Sequence, residues 1–173
     1  GKVIFVPTNS TKVGIYDPNN NTYSDGPAHG RGANAFIGGV LAPNGKVIFV
    51  PTNSTKVGIY DPIANTYSDG PTIQSWRSQG LYGGALAPNG KVIFIPYNSY
   101  YIGVYDPIAN TYTRGPAHGS VSGAFYGGVL APNGKIILIP YGSSNIGIYD
   151  PIANTYSDGP AHGQGNGAFV GGV

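Results

Sequence analysis

The chain has no cysteine and no methionine, a single tryptophan, and charged side chains at only 9% of its 173 positions. Without cysteine there is no disulfide framework and no thiol nucleophile. All seven acidic residues are Asp, and the nine basic residues never form a run, so the formal charge of +2 gives no footprint for nucleic acid or an anionic membrane. No apolar stretch approaches the roughly 20 residues that a membrane-spanning helix needs, and the start carries no signal-peptide pattern. The missing methionine reads as a processed, tag-cleaved or partial chain, which leaves a removed targeting segment open. There is no nucleophile-elbow motif and no phosphate-binding glycine loop, so no cofactor is expected.

What the chain has in quantity is glycine (29), proline (15) and tyrosine (14), and a period. "YDP" recurs at Tyr16, Tyr60, Tyr105 and Tyr149, and "GK" at Gly1, Gly45, Gly90 and Gly134, at spacings of 44, 45 and 44. The units are 1–44, 45–89, 90–133 and 134–173, within one domain spanning 1–173. Repeats of forty-odd residues with no helical periodicity predict an all-β fold, a β-propeller whose blades are four-stranded antiparallel sheets.

Each unit reads as four strands. Across the boundary of the first two units, residues 35–42 and 46–51 flank "PNG", an Asn-Gly hairpin signal. Residues 56–62 follow the polar turn "TNST", and "DPIAN" turns the chain into "TYSDGP". The Asp of each "YDP" reads as a turn residue accepting backbone hydrogen bonds rather than as a catalytic carboxylate. The Gly-Gly pair of each first strand suits the innermost position, where sheets converge. Residues 167–173, "GAFVGGV", repeat a first strand without its hairpin, whereas residue 1 opens a second strand. Pairing of the two would complete a blade from both termini, a velcro closure that removes the exposed edges.

"GKVIFVP…VGIYDPIANTYSDGP" resembles a kelch repeat, and the likeness runs through residues 16–23, 60–67, 105–112 and 149–156. The resemblance implies a kelch-like propeller acting as a binding platform. It also implies more than four blades, hence a homodimer completing an eight-bladed ring, with a monomeric four-bladed ring as the alternative.

The units differ mainly in two connections, both expected on one face. The fourth-to-first loops read "PAHGRGANAF", "PTIQSWRSQGLY", "PAHGSVSGAF" and "PAHGQGNGAF", and the second-to-third turns "PTNSTK" twice, then "PYNSYY" and "PYGSSN". A uniform face opposite a diversified one is expected where loops carry function on a rigid scaffold. The candidate ligand-binding residues are His29, Arg31, Trp76, Arg77, Tyr97, Tyr100, Tyr101, His118, Tyr141 and His162. The three equivalent histidines have no carboxylate companion, which argues against a metal. Trp76 beside Arg77 suits stacking on a sugar or anchoring a protein, and Tyr among Ser, Asn and Gly is a composition of recognition surfaces.

The expectation is a non-enzymatic binding module that recognises a glycan or protein ligand on its loop face. The alternative is a structural, self-assembling or designed repeat protein whose blades pair between chains. Low charge and abundant Tyr, Asn, Ser and Thr lean towards an extracellular setting.

Overall fold

A computed structural model of the chain describes residues 1–73, 80–119 and 122–173. Among them there is no helix, only fifteen strands in four antiparallel sheets. The first sheet holds β1 (Val3–Phe5), β2 (Lys12–Asp17) and β3 (Thr22–Ala28). The second holds β4 (Phe36–Leu41), β5 (Val47–Pro51), β6 (Lys56–Asp61) and β7 (Thr66–Thr72). The third comprises β8 (Leu81–Leu86), β9 (Val92–Pro96), β10 (Tyr101–Asp106) and β11 (Thr111–Ala117). The fourth comprises β12 (Phe125–Leu130), β13 (Ile136–Pro140), β14 (Asn145–Asp150) and β15 (Thr155–Ala161). Strands adjacent in sequence are adjacent in each sheet, so every sheet is a meander with the form of a propeller blade.

Local chemistry sets the turns. In the first hairpin, Gly45 at φ 78° closes a turn in which its N–H reaches the carbonyl of Ala42 at 2.9 Å. Asn44 Oδ1 accepts the N–H of Lys46 at 3.2 Å. At the same end of the sheet, in the turn between β6 and β7, Asp61 Oδ1 accepts the N–H groups of Ile63 and Ala64 at 2.9 and 3.0 Å, and Asp106 and Asp150 do the same in their units. The aspartates are thus the turn formers that the sequence implied. Each such turn ends on an Asn in the left-handed region (Asn21, Asn65, Asn110, Asn154), whose Oδ1 accepts the hydroxyl of the "YDP" tyrosine at 3.0 Å.

The core lies between sheets rather than within one. Ile48, Val50, Val57 and Ile59 of the second sheet pack on Leu81, Phe94 and Tyr105 of the third. Equivalent clusters join the third to the fourth and the first to the second. Both faces of an interior sheet are therefore buried, as β9 shows along its whole length, and the alternation expected of a one-sided strand disappears. Seating one Phe in such an interface contributes about 1.5–3 kcal/mol. The inner strands converge closely enough that a Cβ on Gly38, at φ 83°, would stand 2.8 Å from the Cα of Gly83, which is why Gly-Gly recurs there.

One expectation is not met. The first sheet stops at β1 with three strands, and residues 167–173 form no strand. Pairing between the two ends is absent from the single chain, and none of the three apolar clusters bridges the first and fourth sheets.

Candidate functional site

The two variable connections do share a face. The loop after β3 and the turn after β5 together line a hollow of about 250 Å³ that includes Arg31, Ala33, Asn53 and Ser54. The N–H of Asn34 donates to Asn9 Oδ1 at 3.3 Å, and that of Gly123 to Asn98 Oδ1 at 2.9 Å, so each loop is tied to the turn of the preceding unit.

The histidines serve those ties. His29 Nε2 lies 2.7 Å from the carbonyl of Ser10, while its Nδ1 accepts the N–H of Arg31 at 3.1 Å, which fixes the Nε2–H tautomer. His162 repeats this with Ser143 at 2.8 Å and Gln164 at 3.2 Å. His118 Nε2 meets the carbonyl of Ser99 at 2.7 Å. Its buried Nδ1 has no partner among the described residues; the position equivalent to the donors Arg31 and Gln164 is Ser120, outside them. Burial holds the pKa of His118 below the ordinary value, against the contribution of the Ser99 hydrogen bond. The His29 and His118 rings also pack edge-on against Phe36 and Phe125, the first residues of the next inner strands, and His162 packs likewise on Phe169. The imidazoles are loop latches facing inward, and no group of three potential metal ligands occurs among the described residues.

Arg31 is likewise committed to structure. Its Nε donates to Asp69 Oδ1 at 3.1 Å and its Nη2 to Asp69 Oδ2, while the Tyr67 hydroxyl donates to Asp69 Oδ1 at 2.9 Å. The Asp69 hydrogen bonds raise the Arg31 pKa. Burial opposes ionisation of Asp69, but the bonds from Arg31 and Tyr67 outweigh it and hold the carboxyl below its usual range. Arg31 therefore bolts the loop after the first sheet onto the outer strand of the second.

Tyr100 is exposed on the turn before β10, and Tyr101 carries the Arg114 guanidinium over its ring at 5.3 Å. Trp76 and Arg77 lie outside the described residues.

Tyr97 and Tyr141 come together, and they bring two residues that sequence reasoning missed. Tyr82 and Tyr126 precede the Gly-Gly pairs of β8 and β12, at the loop ends of the inner strands. Tyr82 stacks on Tyr97 at 4.2 Å with the planes 5° apart, and Tyr126 stands edge-on to both at 5.1 and 6.0 Å. Tyr141 extends the group to Tyr97 and Tyr126 at 5.6 and 5.7 Å. All four rings are half-buried. Burial, with the neighbouring phenols, pushes the Tyr82 and Tyr97 hydroxyls above the ordinary tyrosine pKa, so they remain neutral donors and acceptors. The signal was present in the first-strand variation "FIGG", "LYGG", "FYGG" and "FVGG", overlooked because these strands otherwise repeat closely. In the first two units the positions of Tyr97 and Tyr141 hold Thr8 and Thr52, whose hydroxyls donate to the carbonyls of Phe36 and Leu81 at 3.0 and 2.9 Å. The aromatic group therefore sits on one half of the face.

No family model and no curated protein matches the chain. Solved structures do share its fold. Virginiamycin B lyase from Staphylococcus aureus matches 92% of this chain and 52% of its own at TM-score 0.78 and 14% identity. A streptogramin B lyase structure matches 94% and 52% at TM-score 0.75 and 13% identity. An auxiliary nutrient binding protein from Bacteroides ovatus matches 95% and 40% at TM-score 0.69 and 17% identity. The chain thus spans about half the length, or less, of these relatives in fold. Two expectations are corrected. The kelch assignment falls, since no family model matches and the structural likeness is to lyases. The expectation of a non-enzymatic protein is not sustained either, because the solved structures that share the fold include lyases, at 13–14% identity.

Proposed function

We propose that this chain is a propeller segment that recognises a ligand through its diversified loop face, centred on Tyr82, Tyr97, Tyr126 and Tyr141. The observation that supports this most is the packing of four half-buried tyrosines at the loop ends of the inner strands. Aromatic rings with neutral hydroxyls offer flat apolar contact and hydrogen bonds in one place, and tyrosine contributes area at low entropic cost. The ligand chemistry that fits is a sugar ring with one apolar face; a tyrosine-anchored protein contact is the second choice. His29, His118, His162 and Arg31 shape the loops from within.

The test is a glycan array followed by titration of the best ligand, with Tyr97→Ala and Tyr126→Ala alongside. Truncating a central aromatic of a binding site weakens affinity by about tenfold or more. Unchanged affinity in both variants sinks the reading.

A second reading, that residues 167–173 complete the first sheet, is supported by the lie of that segment and is developed next.

A further inference from the structure

Three times in this chain the same two unlike faces meet. The forward face of one sheet is aliphatic, as Ile48, Val50, Val57 and Ile59 are, and the rear face of the next carries aromatic rings, as Phe94 and Tyr105 do. Ile93, Ile95, Ile102 and Val104 meet Phe125 and Tyr149 in the same way, and Val13 and Ile15 meet Phe36, Phe49 and Tyr60. One copy of each face is left over. On the rear of the first sheet, Phe5 is 48% exposed where its counterparts Phe49 and Phe94 are at 0%. On the front of the fourth, Ile137, Ile146 and Ile148 are only half-buried, where Ile93 and Ile102 are at 0%.

The C-terminal segment is already placed for the missing contact. His162 packs on Phe169 at 5.4 Å, as His29 does on Phe36 at 5.6 Å. A Cβ on Gly172 would stand 2.9 Å from Ile139 Cδ1, just as one on Gly39 would stand 2.8 Å from Val6 Cγ2 and one on Gly128 2.7 Å from Ile95 Cδ1. The segment thus lies across the fourth sheet in the pose that β4 takes across the first and β12 across the third. It has no strand beside it, and β1 has none on its inner edge. A hollow of about 480 Å³ beside β1 is lined by Ile4, Leu41, Val47 and Ile63.

We infer that a second copy of this chain completes these surfaces head to tail and reciprocally, residues 169–173 of each copy forming the inner strand beside β1 of the other. The registers Phe36↔Pro51, Gly39↔Phe49 and Val40↔Ile48 translate into Phe169↔Pro7, Gly172↔Phe5 and Val173↔Ile4. Val173 then fills the hollow at Ile4. Asn133, the counterpart of Asn44 and Asn89, which donate to the carbonyls of Pro107 and Pro151, faces the carbonyl of Pro18 in the other copy. A second copy fits because it offers both unlike faces in the geometry already used three times. Two copies give eight sheets, within the span of four to eight blades typical of closed rings, and a head-to-tail contact that closes avoids open filaments. This rests on the strand-completion reading and not on ligand binding.

The test is the mass of the chain in solution by light scattering on a size-exclusion column, for the unaltered chain, Phe5→Asp and Ile148→Asp. The expected masses are twice 17.9 kDa for the unaltered chain and 17.9 kDa for each variant alone. The two variants mixed return to the doubled mass, since one intact rear face then meets one intact front face. A circular dichroism spectrum matching the unaltered chain shows that each variant is folded. A complementary variant carries Ile4→Cys and Val173→Cys. After oxidation it gives a covalent two-chain species if the strand is exchanged, and a cross-linked single chain if the strand closes on itself. A monomeric unaltered chain, a dimer untouched by either substitution, or a cross-link confined to single chains overturns the proposal. A doubled mass in an unaltered chain that binds no glycan would remove the recognition reading alone.

Discussion

Asn44 reaches from the hairpin of the second sheet to the third and donates its side-chain amide to the carbonyl of Pro107 at 2.9 Å; Asn89 makes the same bond to Pro151. These bonds stitch neighbouring blades along the uniform face, where the turn sequences vary least. Asn44→Ala removes the stitch and the turn bond to Lys46, at a cost of about 1–2 kcal/mol. A lower urea midpoint with an unchanged m-value checks this; an unchanged midpoint shows that the stitch contributes nothing.

Gly38 offers a sharper probe of the convergence of the inner strands. Gly38→Ala sets a Cβ 2.8 Å from the backbone of Gly83 at a φ of 83°, and the strain is worth about 1–3 kcal/mol. Gly45→Ala has a similar φ of 78° but open space around it, so it should destabilise less in thermal unfolding. Equal losses at both sites would mean that backbone conformation, not blade packing, selects the glycine.

Burial pushes the Tyr112 phenol up to about 12 and raises Tyr60, Tyr105 and Tyr149 in the same direction. A phenol whose pKa is raised on folding contributes stability that is complete below the unfolded value of about 10 and is lost as pH rises through the folded value. The denaturant midpoint should therefore stay level up to about pH 9.5 and fall between about pH 10 and 12. Phenolate absorbance from these tyrosines should appear together with unfolding. Ordinary titration of every tyrosine near pH 10 in a folded chain would contradict the burial.

The Arg31–Asp69 pair works in the opposite direction. Its carboxyl is held low, so its contribution is present above the unfolded value and lost as pH falls through the folded one. Both side chains are partly solvated, at 29% and 39% exposure, so Arg31→Ala should cost no more than about 1 kcal/mol. The pair's larger role is to hold the loop, and faster amide exchange at residues 30–34 in the variant is the observation to seek. Exchange unchanged in that stretch would show that the loop is held without the pair, by His29 and the Asn34–Asn9 bond.

The sequence by itself determined the blade: its period, its four strands and its two kinds of turn, because these depend on local chemistry that repeats every 44 or 45 residues. Asn-Gly closes the hairpin, Asp caps the turn between the third and fourth strands, and strand boundaries expected at 46–51 and 56–62 fell within a residue of β5 and β6. Sequence also placed both variable connections on one face, since an antiparallel meander fixes which turns share an end. Only the tertiary structure decided which side chains are free to act. The histidines looked available because they sit in loops, yet their nitrogens face backbone carbonyls 19 residues earlier. Tyr82 and Tyr126 looked like strand residues, yet the convergence of the inner strands gathers them with Tyr97 and Tyr141. Periodicity finds what each unit does alike, whereas the tyrosine group and the two uncovered faces arise from how unlike positions of different units are brought together.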